Sequence, residues 1–190
     1  MSFRILAAGL LSFAAFLVPA SVAFADELGE VTRLHHAGQA SAALERADKT
    51  LAANPKDAQM RFLKSVILAD IGHTSEAQTM LQQLVQDYPE LAEPHNNLAA
   101  LYAASGDYGR SRSELEETLR LKPGYAPAQE NLGDVHVLLA AQSYAKALRL
   151  EPSSATLPRK LGLVRQIVAV PGEAASRASI PARPASTATR

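Results

Sequence analysis

The side chains best suited to bind a metal or transfer a proton near neutral pH are five histidines, in a chain of 190 residues without cysteine. His35 and His36 are adjacent, and adjacent side chains on a helix diverge by about 100°. One ion therefore cannot easily bind both. His95 and His136 are predicted to be half-buried imidazoles rather than zinc ligands. No metal site is predicted, and the lack of cysteine also excludes disulfides and thiol chemistry.

The acidic side chains give no better case for catalysis. Glu114, Glu116 and Glu117 form a charge run that is typical of the solvated side of a helix. The chain contains no nucleophile elbow, phosphate-binding loop, H-E-x-x-H zinc motif or dinucleotide fingerprint. We therefore expect no catalytic residues, no cofactor and no enzymatic activity.

The segment 1–25 has the pattern of an export signal. Arg4 precedes an apolar run at 5–18, and Ala23-Phe24-Ala25 supplies the small residues that a signal peptidase reads. The run is shorter than the roughly 20 residues that a spanning helix needs. A signal peptide at 1–25 is expected, with export to the bacterial periplasm or secretion and no transmembrane span after cleavage. An uncleaved anchor or a buried helix are the alternatives.

Charge is unevenly distributed although the formal total is zero. Residues 26–157 carry 18 acidic and 12 basic side chains, whereas residues 158–190 carry one acidic and six basic. A neutral chain is not typical of a nucleic-acid binder. The basic end predicts contact either with an anionic surface or with the acidic part of the chain, unless it is a passive extension.

A repeat with a period of about 34 residues organises the middle of the chain. Its markers recur at one constant spacing as Gly38, Gly72 and Gly106, and as Pro55, Pro89 and Pro123. Glycine is suited to end a helix in a positive-φ conformation, and proline separates successive units. The sequence therefore predicts helix pairs at about 26–57, 58–91 and 92–125, with a shortened unit at 126–152.

Within the unit 92–125 the frame reads His95-x2-Leu98-Ala99-x2-Tyr102, followed by Ser111-x3-Leu115 and Pro123. This pattern resembles the tetratricopeptide repeat. The resemblance implies an all-α fold, a short helical solenoid of antiparallel helix pairs with a C-terminal capping helix.

Packing roles follow from residue size and spacing. Small residues are expected where helices approach closely, and an apolar stripe between neighbouring helices is expected at Leu98, Tyr102, Leu115 and Leu119. The small residues are Ala43, Ser65, Ala77 and Ala99. Side-chain caps for the second helices are predicted at Ser41, at Thr74 or Ser75, and at Asp107.

The fourth unit lacks the turn. Pro152 follows Pro123 sooner than the period of the repeat requires, and no glycine or proline lies between Gly133 and Pro152. One long helix at 127–150 is predicted, which ends the array. A capping helix is expected within 153–170, and the Pro- and Ala-rich segment 171–190 is expected to be disordered.

The resemblance also implies where a partner binds, because ligands of this family lie along the concave face formed by the first helices. One subset of the family binds a terminal carboxylate with Lys and Arg there, and those types are missing here. The acids, amides and apolar side chains at these positions favour a basic or extended peptide. Transferred to this chain, the positions are Phe62, Val66, Asp70, Glu93, Asn96, Asn97, Ala100, Glu130, Asn131 and Asp134, with Ala69 and Ala103 beside them.

The sequence therefore predicts an exported scaffold or adaptor that binds a peptide or helix of another protein. A structural subunit of an envelope assembly is the main alternative, and a solvated surface or helix packing at the same positions is another. A third hypothesis places the tail residues Arg177, Arg183 and Arg190 in the acidic groove.

Overall fold

The computed structural model describes the backbone of residues 20–168 and the side chains of residues 27–167. This part of the chain forms eight helices joined by short turns. They are α1 Ala20–His36, α2 Ala40–Ala53, α3 Ala58–Asp70, α4 Thr74–Asp87, α5 Ala92–Ala104, α6 Tyr108–Leu121, α7 Ala126–Leu150 and α8 Leu157–Val168. Among the described residues, no helix is both long and apolar enough to cross a membrane.

The turns inside the first three pairs confirm the role assigned to the recurring glycines. Gly38, Gly72 and Gly106 have φ of 72°, 83° and 81°. Residues with a side chain pay a steric penalty in this conformation, and glycine does not. Each glycine therefore lets the chain reverse in a short turn.

The predicted caps are confirmed only at Asp107, whose side chain accepts a hydrogen bond from the backbone N–H of Arg110. Gln39 and His73 hold the same position in α2 and α4 without a side-chain cap. Ser41 and Ser75 lie within these helices, and Thr74 is the first residue of α4. The prediction was wrong there because each new helix begins directly after the residue that follows the positive-φ glycine.

Three hydrophobic clusters run along the array, each joining one pair to the next. Ala43, Ser65, Ala77 and Ala99 are all fully buried, which confirms that small residues lie where helices approach. Leu98 and Leu115 are at most 1% exposed. Burial of such side chains stabilises the fold by roughly 2 kcal/mol each.

The fourth pair differs from the others, as the missing turn predicts. Helix α7 runs unbroken for 25 residues, and α8 folds back against it. Leu161 provides the buried contact of α8, while Leu163 and Ile167 stay more than half exposed.

Two predicted segments lie outside the described residues: the apolar run 5–18 and the tail 171–190 with Arg177, Arg183 and Arg190. The Ala23-Phe24-Ala25 motif falls within α1.

Candidate partner-binding surface

The first helices of neighbouring pairs contact each other along one side of the array. Helices α1 and α3 contact each other directly, as do α5 and α7, in addition to the contacts within each pair. Close approach on one side makes a stack of helix pairs curve toward that side. We call the surface of α1, α3, α5 and α7 on this side the inner face.

Three asparagines form a hydrogen-bonded cluster where α5 meets α7. Asn96 is fully buried. Its Nδ2 donates to Asn97 Oδ1 at 3.3 Å, and its Oδ1 accepts from Asn131 Nδ2 at 3.2 Å. A buried amide is tolerated only when such bonds replace its hydration. Asn96 therefore joins two helices and is not open to a ligand, in contrast to its predicted place on the groove surface.

Two other predicted contact residues lie inward. Val66 is only 4% exposed. Phe62 is half-buried against the cluster that contains Leu81 and Leu98. Both side chains contribute mainly to packing between units.

Two of the predicted acids already contact basic side chains of neighbouring helices. Asp70 Oδ2 lies 2.8 Å from His35 Nε2, which joins the ends of α3 and α1. Glu93 Oε1 lies 2.9 Å from Lys122 Nζ. The rings of His35 and His36 stack with centroids 5.8 Å apart. In the described part of the chain, no three side chains of the metal-binding types come together.

The other five predicted residues lie on α5 and α7, and each keeps part of its surface accessible. Ala100 and Glu130 are exposed, and Asn97, Asn131 and Asp134 are half-buried. The set combines two amides with two carboxylates and a small apolar side chain. Amides bind peptide backbone in either direction, and carboxylates favour basic side chains. We call these five residues the groove patch.

His95 is buried beneath the inner face and forms an ion pair that joins α5 to α6. Its Nδ1 lies 2.6 Å from Glu114 Oε2, and its Nε2 lies 3.3 Å from the Pro89 carbonyl oxygen. Burial alone lowers the pKa of His95, but the hydrogen bond and charge of Glu114, with the Pro89 carbonyl, outweigh it and raise the pKa above its ordinary value. Two oxygen acceptors facing both ring nitrogens favour the imidazolium.

Two predictions for charged or titratable residues are corrected by the structure. Glu114 is part of the joint between α5 and α6, not of the solvated run with Glu116. His136, expected to be half-buried like His95, is exposed because α7 has no second helix folded back at that level.

One sequence signal for the pair was missed. Glu27 and Arg46 stand at the same repeat positions as His95 and Glu114, also 19 residues apart, and are linked at 2.7 Å. Matching opposite charges between repeats at this spacing identifies both pairs from the sequence.

Comparison with known proteins agrees with this architecture. Residues 34–102 match the family model described as tetratricopeptide repeat. Mouse protein O-mannosyl-transferase TMTC1 is 26% identical over 126 residues, which is 60% of this chain but only 13% of that protein.

Two solved structures share the fold. A thermophilic tetratricopeptide-repeat protein of Thermus thermophilus is 23% identical with a TM-score of 0.57, covering 80% of this chain and 86% of the other. A mutant of the Thermobaculum terrenum O-GlcNAc transferase is 22% identical with a TM-score of 0.58, covering 80% of this chain and 26% of the other. The fold is therefore an all-α helical solenoid of the tetratricopeptide-repeat type, an architecture that generally serves as a scaffold for protein interactions.

Proposed function

We propose that this protein is an exported binding module that holds a basic, extended peptide segment of another protein against its inner face. The observation that carries this proposal is the groove patch: polar and acidic side chains remain accessible directly beside a buried amide cluster that keeps α5 and α7 in register. A rigid support of this kind lowers the entropy cost of binding.

The polar groups of the groove patch suit a peptide backbone. Asn97 accepts through Oδ1 and Asn131 donates through Nδ2 within the cluster, so that Asn97 Nδ2 could donate to a peptide carbonyl and Asn131 Oδ1 could accept from a peptide N–H. Glu130 and Asp134 lie one helical turn apart on α7, so that they line one side of the same groove. A peptide with alternating basic residues matches this arrangement. No covalent chemistry is needed for such a function.

Export is part of the proposal and rests on the segment 1–25. Detection of the protein in periplasmic or culture fractions, with a mature N-terminus at Asp26 by mass spectrometry, is the expected result. A cytoplasmic chain that retains Met1 is the opposite result.

Similarity to glycosyltransferases does not support a catalytic function here. The match to the mouse mannosyl-transferase involves 13% of that protein. The polar groups of the groove patch, two amides and two carboxylates, are the types that hold a peptide backbone and basic side chains. We therefore propose binding rather than group transfer.

The binding proposal is tested with a displayed library of random peptides selected on the full chain. Selected peptides are expected to be rich in Lys and Arg, and their affinity is measured by fluorescence anisotropy. Ala100→Arg should weaken binding by about tenfold or more, because it puts bulk and a like charge into the groove.

The matched control is Glu116→Arg, which changes an exposed residue on α6, away from the inner face. It should leave the affinity unchanged. Selected peptides that respond to Glu116→Arg but not to Ala100→Arg would place the binding site on the outer side of the array.

A further inference from the structure

The two ends of the array present surfaces that neighbouring units cover elsewhere. Inside the array each second helix packs between two first helices: α2 contacts α1 and α3, α4 contacts α3 and α5, and α6 contacts α5 and α7. Helix α8 is the second helix of the last described pair and packs against α7. Helix α1 is the first helix of the first pair.

One flank of α8 is both apolar and uncovered. Leu163 and Ile167 lie one turn apart and are 54% and 57% exposed. Arg159 and Lys160 lie on the same side of the helix, Arg165 lies on the opposite side, and α8 contains no acidic residue. Single exposed aliphatic residues are common on surfaces, but here two lie together beside two cations.

The opposite end of the array has a groove of about 640 Å³ between α1 and α2. Glu27, Glu30 and Leu34 form its α1 side, and their spacing places them on one face of the helix. On the α2 side, Arg46 is bonded to Glu27 and Lys49 to Glu45, and Ala42 leaves room beside them.

The repeat shows what normally covers this stripe of the first helix. Lys64 stands one repeat after Glu30 and pairs with Asp48 of the preceding second helix, α2. Tyr102 stands two repeats after Leu34, and its Oη accepts from Gln82 of the preceding second helix, α4, at 2.9 Å. Tyr102 is 4% exposed, whereas Leu34 is only half-buried.

We propose that α8 of one molecule docks in the groove between α1 and α2 of a second copy, so that the array continues head to tail. The flank of α8 then takes the place of a preceding second helix, which every first helix except α1 has within the described residues 20–168. The charge arrangement supports this partner. Glu30 occupies the position of Lys64, so the ion pair between units is reversed, with the acid on the first helix and the base on the second. Glu30 already lies 2.7 Å from Arg33 on its own helix, but an exposed pair of this kind contributes little and can exchange partners.

A second copy fits this groove better than residues 1–19 do. That segment carries one charged residue, Arg4, whereas α8 offers both Arg159 and Lys160 to Glu30, the acid of this stripe that is not bonded to α2. A head-to-tail interface of this kind does not close on itself unless its rotation forms a ring, and it adds more molecules as concentration rises.

Two complementary variants of the full chain test the proposal by sedimentation velocity. The first variant, Leu163→Gln with Ile167→Gln, disables the α8 flank. The second, Glu30→Lys with Ala42→Arg, reverses a charge and fills the groove. The changed α8 positions and Ala42 are exposed, and Glu30 lies at the rim, so circular dichroism and melting temperature should match those of the wild type.

The wild-type protein is expected to form a series of species that lengthens with concentration. Each variant alone should remain a monomer, because it retains only one of the two surfaces, the α8 flank or the groove between α1 and α2, that the contact needs. An equimolar mixture of both should form a dimer and nothing larger. Glu30→Lys alone should raise the dissociation constant roughly tenfold, because it faces the cations of α8.

Other results would overturn the proposal. If one variant alone forms a dimer, the contact is symmetric and joins two like ends of the array. If both variants still associate, the contact lies elsewhere, for example at residues 1–19. A wild-type monomer at every concentration excludes self-assembly. If that monomer sediments with phosphatidylglycerol vesicles and the α8 variant does not, the flank faces a membrane instead.

Discussion

The third helix pair, α5 and α6, and the terminal pair, α7 and α8, begin with similar sequence but differ in packing. Helix α5 buries seven of its 13 residues, whereas α7 buries two of its 25. The difference follows from the turn. The glycine turn at 106 lets α6 fold back on α5 at once, so both faces of α5 are covered. In α7 the helix continues for about three further turns before α8 returns, and much of it keeps one side in solvent.

The largest expected difference in the cost of a substitution to the free energy of unfolding is between a leucine of α5 and a leucine of α7. Leu98→Ala should lower the free energy of unfolding by about 3–5 kcal/mol, because Leu98 is 1% exposed and its removal leaves a cavity. Leu150→Ala should cost less than about 0.5 kcal/mol, since Leu150 is 78% exposed. Urea unfolding followed by circular dichroism measures both. Similar costs would mean that the terminal pair is packed in solution as tightly as the third.

A matched pair of glycine substitutions tests the turn itself. Gly106→Ala should destabilise the protein by about 1–2 kcal/mol, because φ is 81° there. Gly133→Ala should stabilise it by roughly 1 kcal/mol, since alanine favours a helix interior. No atom of a neighbouring residue lies within 4 Å of the added Cβ at either site. The backbone conformation alone therefore decides whether the substitution raises or lowers the free energy of unfolding. A loss of stability at Gly133 would contradict an unbroken α7.

The ion pair between His95 and Glu114 predicts that the third helix pair contributes a pH-dependent part of the free energy of unfolding. Because the folded state raises the pKa of His95, the stabilisation is complete below about pH 6.5, the ordinary value of histidine, and is lost as pH rises through the raised pKa. Glu114→Gln should therefore lower the free energy of unfolding by about 1 kcal/mol at about pH 6 and by less once the pH exceeds the raised pKa of His95.

The pKa of His95 is measured directly by NMR titration of its ring protons in the wild type and in Glu114→Gln. The substitution should lower it, since it removes the charge of the partner. Gln129, the residue at the same repeat position in α7, is exposed. Gln129→Ala is the control and should change stability little at either pH.

The smallest effect is expected at Ser111, which stands where the first two pairs have Ala43 and Ala77. Its hydroxyl is buried and has no hydrogen-bond partner. Ser111→Ala should stabilise the protein by about 0.5–1 kcal/mol, because it removes an unsatisfied polar group and improves helix propensity. A higher melting temperature is the expected readout. Destabilisation would reveal a bonding role of the hydroxyl in solution.

Prediction from the sequence succeeded where one residue's own conformational preference decides the structure. Glycine at 38, 72 and 106 forms the turns, and the lack of glycine and proline after Gly133 gives the single helix α7. It failed for the caps at Ser41 and Thr74, because several polar residues near a turn compete and the turn geometry selects among them.

The candidate site was predicted less completely than the fold. Helical periodicity identified the inner helices and the side of the helix on which each residue lies. It does not show which residue of a neighbouring helix packs against that side. Asn96 and Asn97 are neighbours with the same chemistry. In the folded chain Asn96 is buried and bonded to Asn131 of α7, whereas Asn97 is half accessible.

The sequence alone thus determined the period, the turns, the small residues at close contacts and the long last helix, since each depends on local backbone energetics or residue volume. Tertiary structure decided which polar groups are buried between helices and which remain accessible. It joined His95 to Glu114, buried Asn96 and left Leu163 and Ile167 uncovered. These outcomes depend on contacts between helices far apart in the chain, which the pattern within one helix does not specify.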